Sequence, residues 1–192
     1  MLAIYVANFL KSLKNYYQLG GFMTSTNVNA VQEAVRGIKG LIIDDQLLVL
    51  GLIYRNIAQS VPADAANALP TQDAANLVTR VQQLSQENQL SALRDFLGAE
   101  KNDQDATVLD PNPSKALGEL VTGGGTTIPA HEYSSLSAEG RIAFWYLLAQ
   151  RLGSNLIGGL SELTPTEQVT IVLNSIQALN TDELVSFLTQ AV

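Results

Sequence analysis

Apolar residues recur along the first half of this chain at the three- and four-residue spacing of an amphipathic α-helix. Loops rich in glycine, proline and alanine interrupt the pattern. It predicts four helices, which span Val28–Lys39 with Gly40 at the end, Asp44–Ser60 with Asp44 as N-cap, about 71–83 with Thr71 as N-cap, and Ser85–Leu97 with Gly98 as terminator. Convincing strand-like alternation is missing, so the pattern predicts an all-α fold.

The second half carries equally clear helix signals. Ser137 precedes a helix that runs through Leu152. The sequence Thr164-Pro165-Thr166-Glu167 has the form of a capping box with proline at the first helical position, so a helix is predicted to start there. Asn180-Thr181-Asp182-Glu183 predicts a second start by the same logic.

These two sets of signals form an internal repeat. At an offset of 95 positions, Asp44–Leu97 lies over Glu139–Val192 without a gap, and Leu84-Ser85-Gln86-Glu87 falls on Leu179-Asn180-Thr181-Asp182. Repeats of this kind are duplicated supersecondary units that bury their apolar faces against each other. The sequence therefore predicts two interacting helical halves with a groove between them.

The remaining segments divide the chain. Residues 28–192 are predicted to form one domain, with a connector at 99–135 that contains turn signals and a short helix over 115–121. Residues 1–27 form an N-terminal extension or arm. Its first 22 residues hold five of the aromatic side chains, and two interpretations stay open: an amphipathic segment that docks on a membrane surface or a partner, or a natural start at Met23.

Composition narrows the function classes. Of 192 residues, 46% are hydrophobic and 15% charged, as in a well-buried globular protein. The net charge of −7 and the scattered basic residues argue against nucleic-acid binding. Without cysteine there are no disulfides and no thiolate metal sites or nucleophiles. The apolar run at the N-terminus is too short to span a membrane as a helix.

Signals for catalysis or metal binding are weak. The single histidine, His131, has no second ligand nearby in the sequence, so we expect a solvated loop residue. The glycines at 123–125 follow no strand and lack the rest of a phosphate-binding loop. The pair Asp44 and Asp45 is accounted for by the favourable field at a helix start. We therefore predict no metal site, no catalytic residues and no enzymatic activity.

Apolar and aromatic residues line one face of each long helix. Leu47, Leu50 and Tyr54 share a face of the first, and Ile142 and Trp145 share a face of the second with the adjacent Tyr146. Periodicity alone favours ordinary core packing. Tyrosine and tryptophan combine a large apolar area with one polar group, which suits a core or a pocket equally.

Several of these segments together resemble a known domain. Ile43–Leu97, with Asp45-Gln46-Leu47 and the Ala65-Ala66-Asn67 loop, is similar to the first half of the N-terminal domain of the cyanobacterial orange carotenoid protein. Phe144-Trp145-Tyr146 and Ile176-Gln177-Ala178-Leu179 resemble its second half. The resemblance implies an all-α fold of two interleaved helical bundles and a stand-alone helical carotenoid protein without enzymatic activity.

The resemblance also implies a ligand and a site. The ligand would be a ketocarotenoid such as canthaxanthin, echinenone or 3'-hydroxyechinenone, with one ring held by Tyr54 and Trp145. An extended apolar cavity and aromatic faces suit a conjugated polyene. The remaining residues that match the lining of the family's tunnel are Leu47, Leu50, Leu93, Ile142, Tyr146, Val185 and Leu188.

By the same resemblance, the protein would quench singlet oxygen and excitation energy in the cytoplasm, at the thylakoid or the phycobilisome. Its partners would be the phycobilisome or another photosynthetic complex and a separate homologue of the family's C-terminal domain. Two positions depart from the family: Gly51 replaces a tryptophan beside the ring, and Thr189 replaces an arginine used in docking. They motivate an alternative, a pigment-free structural or docking subunit of a photosynthetic complex.

Overall fold

A computed structural model describes residues 27–60, 72–105, 128–152 and 165–192 of the chain, and within these ranges the regular structure is helical. In chain order, helices α1 to α8 span Val28–Gly40, Ile43–Ser60, Gln72–Gln82, Gln86–Asp105, Ala130–Ser134, Ala138–Leu152, Glu167–Gln177 and Thr181–Ala191. The predicted all-α class is confirmed. Three predicted features lie at least partly outside the described residues: the short helix over 115–121, the cap at Thr71 and the division at residue 27.

The internal repeat is visible in the backbone. Helices α2, α3 and α4 begin 95 residues before α6, α7 and α8 respectively. Three backbone hydrogen bonds of the first copy recur with the same length in the second. Leu41 donates to Ile38 as Leu136 donates to Tyr133, each at 3.1 Å, and Leu84 donates to Val81 as Leu179 donates to Ile176, each also at 3.1 Å. Gln89 donates to Ser85 as Leu184 donates to Asn180, each at 2.8 Å. The repeat therefore extends upstream of the sequence overlay, to Ile38 and Tyr133.

The two copies interleave, as the family resemblance implied. Helix α1, which precedes the first copy, packs on α7 and α8 of the second. Helix α5, which precedes the second copy, packs on α4 of the first, and α3 packs along α6. The long apolar helices α2 and α6 lie against each other at the centre. Because each copy covers the other's apolar faces, the described helices share one continuous hydrophobic core.

Helix starts follow local capping chemistry, with two corrections to the predicted starts. The box at Asn180 is confirmed: its side chain accepts from the Glu183 N–H at 3.0 Å, and the Glu183 carboxylate accepts from the Asn180 N–H at 2.8 Å. The N-cap of α7 is Thr166 rather than Thr164, because the Thr166 hydroxyl accepts from Val169 N–H, so Pro165 precedes the helix. Asp44 is not an N-cap and lies in the first turn of α2.

The predicted connector also needs correction at both ends. Helix α4 does not stop at Gly98 and continues to Asp105. Gly98 is followed by Ala, Glu and Lys, which are strong helix formers, and this outweighs the roughly 1 kcal/mol that one glycine costs inside a helix. At the other end, helix α5 lies within the range predicted as connector, and its Tyr133 is fully buried.

Candidate functional site

The centre of the core contains an aromatic pair that joins the two copies. Helix α2 supplies Tyr54 and helix α6 supplies Trp145, each 1% exposed. Their ring centroids lie 6.1 Å apart with 25° between the planes, a stacked arrangement. Both residues fall on the faces along which α2 and α6 pack, so the helical period and the interleaved topology bring them together.

The other seven residues predicted for the site are all buried in the same hydrophobic cluster. They are Leu47, Leu50, Leu93, Ile142, Tyr146, Val185 and Leu188, with exposed fractions between 0% and 3%. Three pairs among the nine site residues are related by the repeat: Leu47 and Ile142, Leu50 and Trp145, and Leu93 and Leu188. The set carries no charged side chain and is mostly aliphatic and aromatic, so its chemistry fits an apolar molecule.

The spacing of the aromatic pair limits how it can hold a ring. Stacked carbon atoms approach to about 3.5 Å, so a flat ring sandwiched between two faces needs them about 7 Å apart. The ring centroids of Tyr54 and Trp145 are 6.1 Å apart, so their faces are closer together than that. An apolar ring can therefore pack beside the pair as it stands, or enter between the two rings once they part by at least roughly 1 Å.

Trp145 has a polar contact that the sequence did not reveal. Its indole Nε1–H donates to the hydroxyl of Tyr133 at 2.8 Å, and both residues are buried. The Tyr133 ring stacks on Phe96 with centroids 5.1 Å apart and an interplanar angle of 3°. The repeat itself is the signal that could have identified Tyr133. When the overlay is extended upstream, Tyr133 falls on Ile38, which lies on the apolar face of α1.

Gly51 and Thr189, the two positions expected from the resemblance to depart from the family pattern, have contrasting surroundings. Gly51 is buried in α2, and its counterpart in the second copy is Tyr146. Thr189 is half-buried in α8, where its hydroxyl donates to the carbonyl of Val185 at 2.9 Å. The counterpart of Thr189 in the first copy is Arg94. A basic residue is therefore present at the equivalent position of the first copy, although not in the second.

Arg94 is held by an ion pair rather than free for docking. Its Nε and one Nη donate to the two carboxylate oxygens of Asp44 at 2.6 and 3.2 Å, which links α4 to the start of α2. The hydrogen bond to Asp44 raises the pKa of Arg94, partial burial opposes this, and the charge of Asp44 raises the pKa further. The guanidinium therefore stays charged under all ordinary conditions.

A polar cleft lies apart from the aromatic pair, between α3, α5 and the start of α6. Its volume is about 470 Å³, and Arg80 forms an ion pair with Glu132 beside it. The sequence pattern does not predict this cleft. The lining residues are Asp73, Asn76, Leu77, Arg80, Glu132, Ser135, Leu136, Ser137 and Gly140. This mixture of opposite charges and hydroxyls does not suit a long apolar ligand.

His131, next to the cleft, is exposed on α5, a helix and not the loop that was predicted. In the ranges that the structure describes, no three acidic or histidine side chains are grouped so as to hold a metal ion. Every helix in those ranges is too short or too polar to cross a membrane. The glycines at 123–125 lie outside the described residues.

Comparison with known proteins agrees with the all-α fold. The sequence model of the family described as orange carotenoid protein, N-terminal, matches residues 22–109 and 107–192. A protein of Nostoc sp. (strain PCC 7120 / SAG 25.82 / UTEX 2576), described as an orange carotenoid-binding domain-containing protein, is 25% identical over 173 residues, which cover 81% of this chain and 86% of the relative. Because the family matches extend over most of the sequence, the chain belongs to the family of orange carotenoid protein N-terminal domains.

Proposed function

We propose that this protein binds a ketocarotenoid such as canthaxanthin, echinenone or 3'-hydroxyechinenone and acts in photoprotection without catalysing a reaction. The observation that carries the proposal is the stacked pair of Tyr54 and Trp145, buried where the two copies meet. The nine-residue site around it is apolar and uncharged, which suits a polyene. The description of the Nostoc relative as carrying an orange carotenoid-binding domain supports the same ligand class.

The proposed roles follow from the side chains. Tyr54 and Trp145 offer aromatic faces to the end ring of the pigment, and the aliphatic residues of the site exclude water from the polyene. When bound, a conjugated carotenoid takes up the energy of singlet oxygen and releases it as heat. The chain's contribution is to hold and shield the pigment, so quenching of singlet oxygen requires no titratable group of the protein.

Expression in a host that produces canthaxanthin tests the proposal. We expect the purified full-length protein to be coloured, with visible absorbance that co-elutes with the polypeptide at a fixed stoichiometry. The coloured protein should also slow the bleaching of a singlet-oxygen probe relative to the same protein from a host without carotenoids. Colourless protein from the producing host would rule out the pigment function.

One observation favours a second candidate, a pigment-free structural or docking subunit of a photosynthetic complex such as the phycobilisome. Tyr54 and Trp145 already stack on each other with ring centroids 6.1 Å apart, which leaves no room for a flat ring between them, and Gly51 supplies no aromatic surface. In this case the colour test fails, and the full chain should recover partners from a cyanobacterial extract. Recovery with and without residues 1–22 would show whether that segment is the docking arm, and equal recovery would exclude it.

A further inference from the structure

The indole of Trp145 is oriented from two sides. Tyr54 lies over its face at 6.1 Å, and Tyr133 accepts the hydrogen bond from its only polar atom. We propose that Tyr133 is a positioning residue, which sets the orientation of the Trp145 indole and thereby the way in which the aromatic pair takes up a pigment ring. This inference rests on the proposed carotenoid function and adds to it a residue that does not belong to the predicted site.

A directional bond at Nε1 is what the orientation of an indole depends on. Stacking on Tyr54 and the edge contact with Phe144, at 5.7 Å and 83°, restrict the tilt of the indole but do not by themselves fix the direction of its N–H within the ring plane. The hydrogen bond to Tyr133, at 2.8 Å, fixes that direction because it requires the N–H to point at one oxygen. The bond therefore holds the indole in one orientation, in which an apolar ring can pack beside the stacked pair.

Tyr133 is itself fixed, so it cannot simply follow the indole. Its ring is fully buried, stacks on Phe96 at 5.1 Å and meets the edge of Phe144 at 5.4 Å. The guanidinium of Arg141 lies over the same ring at 5.9 Å. Arg141 also donates to the backbone oxygen of Val192 at 3.3 Å, so the contacts that hold Tyr133 extend to the end of α8.

The repeat indicates that the fold does not require this hydrogen bond. The counterparts of Tyr133 and Trp145 in the first copy are Ile38 and Leu50, both buried and both without a polar side-chain atom. The backbone at the two places is alike, since Leu41 donates to Ile38 as Leu136 donates to Tyr133, each at 3.1 Å. Aliphatic residues are therefore enough to pack this place in the core. The hydrogen bond between Trp145 and Tyr133 is an addition of the second copy.

Replacement of Tyr133 by Phe in the full-length protein tests the inference. Trp145 is the single tryptophan, so intrinsic fluorescence reports on this one indole. In pigment-free Y133F we expect a shifted emission maximum, because the N–H has lost its acceptor. In pigment-loaded Y133F we expect a shifted visible absorption band and a Kd raised about 2- to 10-fold, the range that corresponds to one net hydrogen bond.

Two matched variants separate positioning from general weakening of the core. Gln46→Met removes another buried side-chain hydrogen bond, to the carbonyl of Leu41 at 2.7 Å, and should leave emission and Kd unchanged. In a Trp145→Phe background, which has no indole N–H, Y133F should have no further effect on Kd. If Y133F alone changes neither emission nor Kd, or lowers affinity equally in the W145F background, the positioning role is overturned.

Two outcomes need a separate measurement. If Y133F does not fold, hydrogen exchange of the single indole N–H in the wild-type protein decides: slow exchange is expected for a bonded N–H, and exchange at the rate of an exposed indole would contradict the inference. If the wild-type protein takes up no pigment, the proposed function fails. The fluorescence shift of pigment-free Y133F still decides whether Tyr133 orients Trp145, so the two failures are distinguishable.

Discussion

The two copies of the repeat build the same backbone with different side chains at its centre. Helices α2 and α6 occupy equivalent places, yet Leu50 stands where the second copy has Trp145, and Tyr54 stands where it has Ala149. All four are buried. The fold thus demands apolar side chains at these positions but not aromatic ones. Because the stacked pair comes from positions that are not equivalent, the proposed ligand would meet this pair of aromatic faces at one place and not at two symmetric ones.

The outer junctions of the two copies differ as well. Where α1 meets α7, Gly37 lies so close to Val172 that a Cβ atom would be 3.1 Å from a methyl group of the valine. At the equivalent junction of α5 and α3 stand Glu132 and Leu77, and there the polar cleft opens. Gly37 allows close packing at one junction, whereas the other contains the ion pair of Arg80 and Glu132, which links α3 to α5 beside the cleft. This contrast suggests that the absence of a side chain at Gly37 is what permits the close approach.

The variant with the largest expected effect is Trp145→Ala, which removes the aromatic residue that distinguishes the centre of the second copy from that of the first. Removal of a buried tryptophan should cost about 3–5 kcal/mol of unfolding free energy. If the aromatic pair grips the pigment, the folded fraction should also contain little or no carotenoid, because Tyr54 has lost its stacking partner. Urea denaturation gives the first quantity, and the ratio of visible to protein absorbance in the folded fraction gives the second.

Phe187→Ala is the matched control for that variant. Phe187 is fully buried in α8 but is not one of the proposed site residues, and Ala92 already fills its place in the first copy. We expect a similar loss of stability with unchanged pigment stoichiometry in the protein that remains folded. Full pigment stoichiometry in the folded fraction of W145A would show that Trp145 is only a core residue.

The sequence predicted those features that depend on local chemistry and periodicity. The 95-residue offset predicted the equivalence of the helices, and the sequence from Asn180 to Glu183 predicted its capping box. Tyr133 and the polar cleft were missed, because both arise where α5 meets other helices and short helices have weak periodicity. Gly98 misled for a related reason: glycine commonly ends helices, and only the helix-forming residues after it show that α4 continues.

Substitution of Gly37 tests the close packing of α1 against α7. Gly37→Leu should destabilise the protein by about 1–3 kcal/mol, since the new side chain must displace Val172 in a packed junction. Gly40→Leu is the control, because a Cβ at Gly40 meets nothing within 4 Å. Thermal or urea unfolding measures both, and combining Gly37→Leu with Val172→Ala should recover part of the loss. Equal effects at the two glycines would mean that the contact with Val172 does not limit the approach of α1 and α7.

The smallest expected difference concerns the ion pair that only the first copy has. Asp44→Asn should cost about 0.2–1 kcal/mol in low salt, and less in high salt, because both partners are partly exposed and the pair is screened. Since Asp44 raises the pKa of Arg94, the stability due to that guanidinium is present below the pKa of the unfolded chain and is lost only as pH rises through the higher folded value. Deprotonation of Arg94 should therefore add no pH dependence near neutrality.

The control is Glu139→Gln, the equivalent change in the second copy, where Thr189 stands in place of the arginine. Urea denaturation of this variant should show no salt-dependent loss of stability. A loss as large as that of Asp44→Asn would mean that the ion pair contributes nothing specific to the first copy.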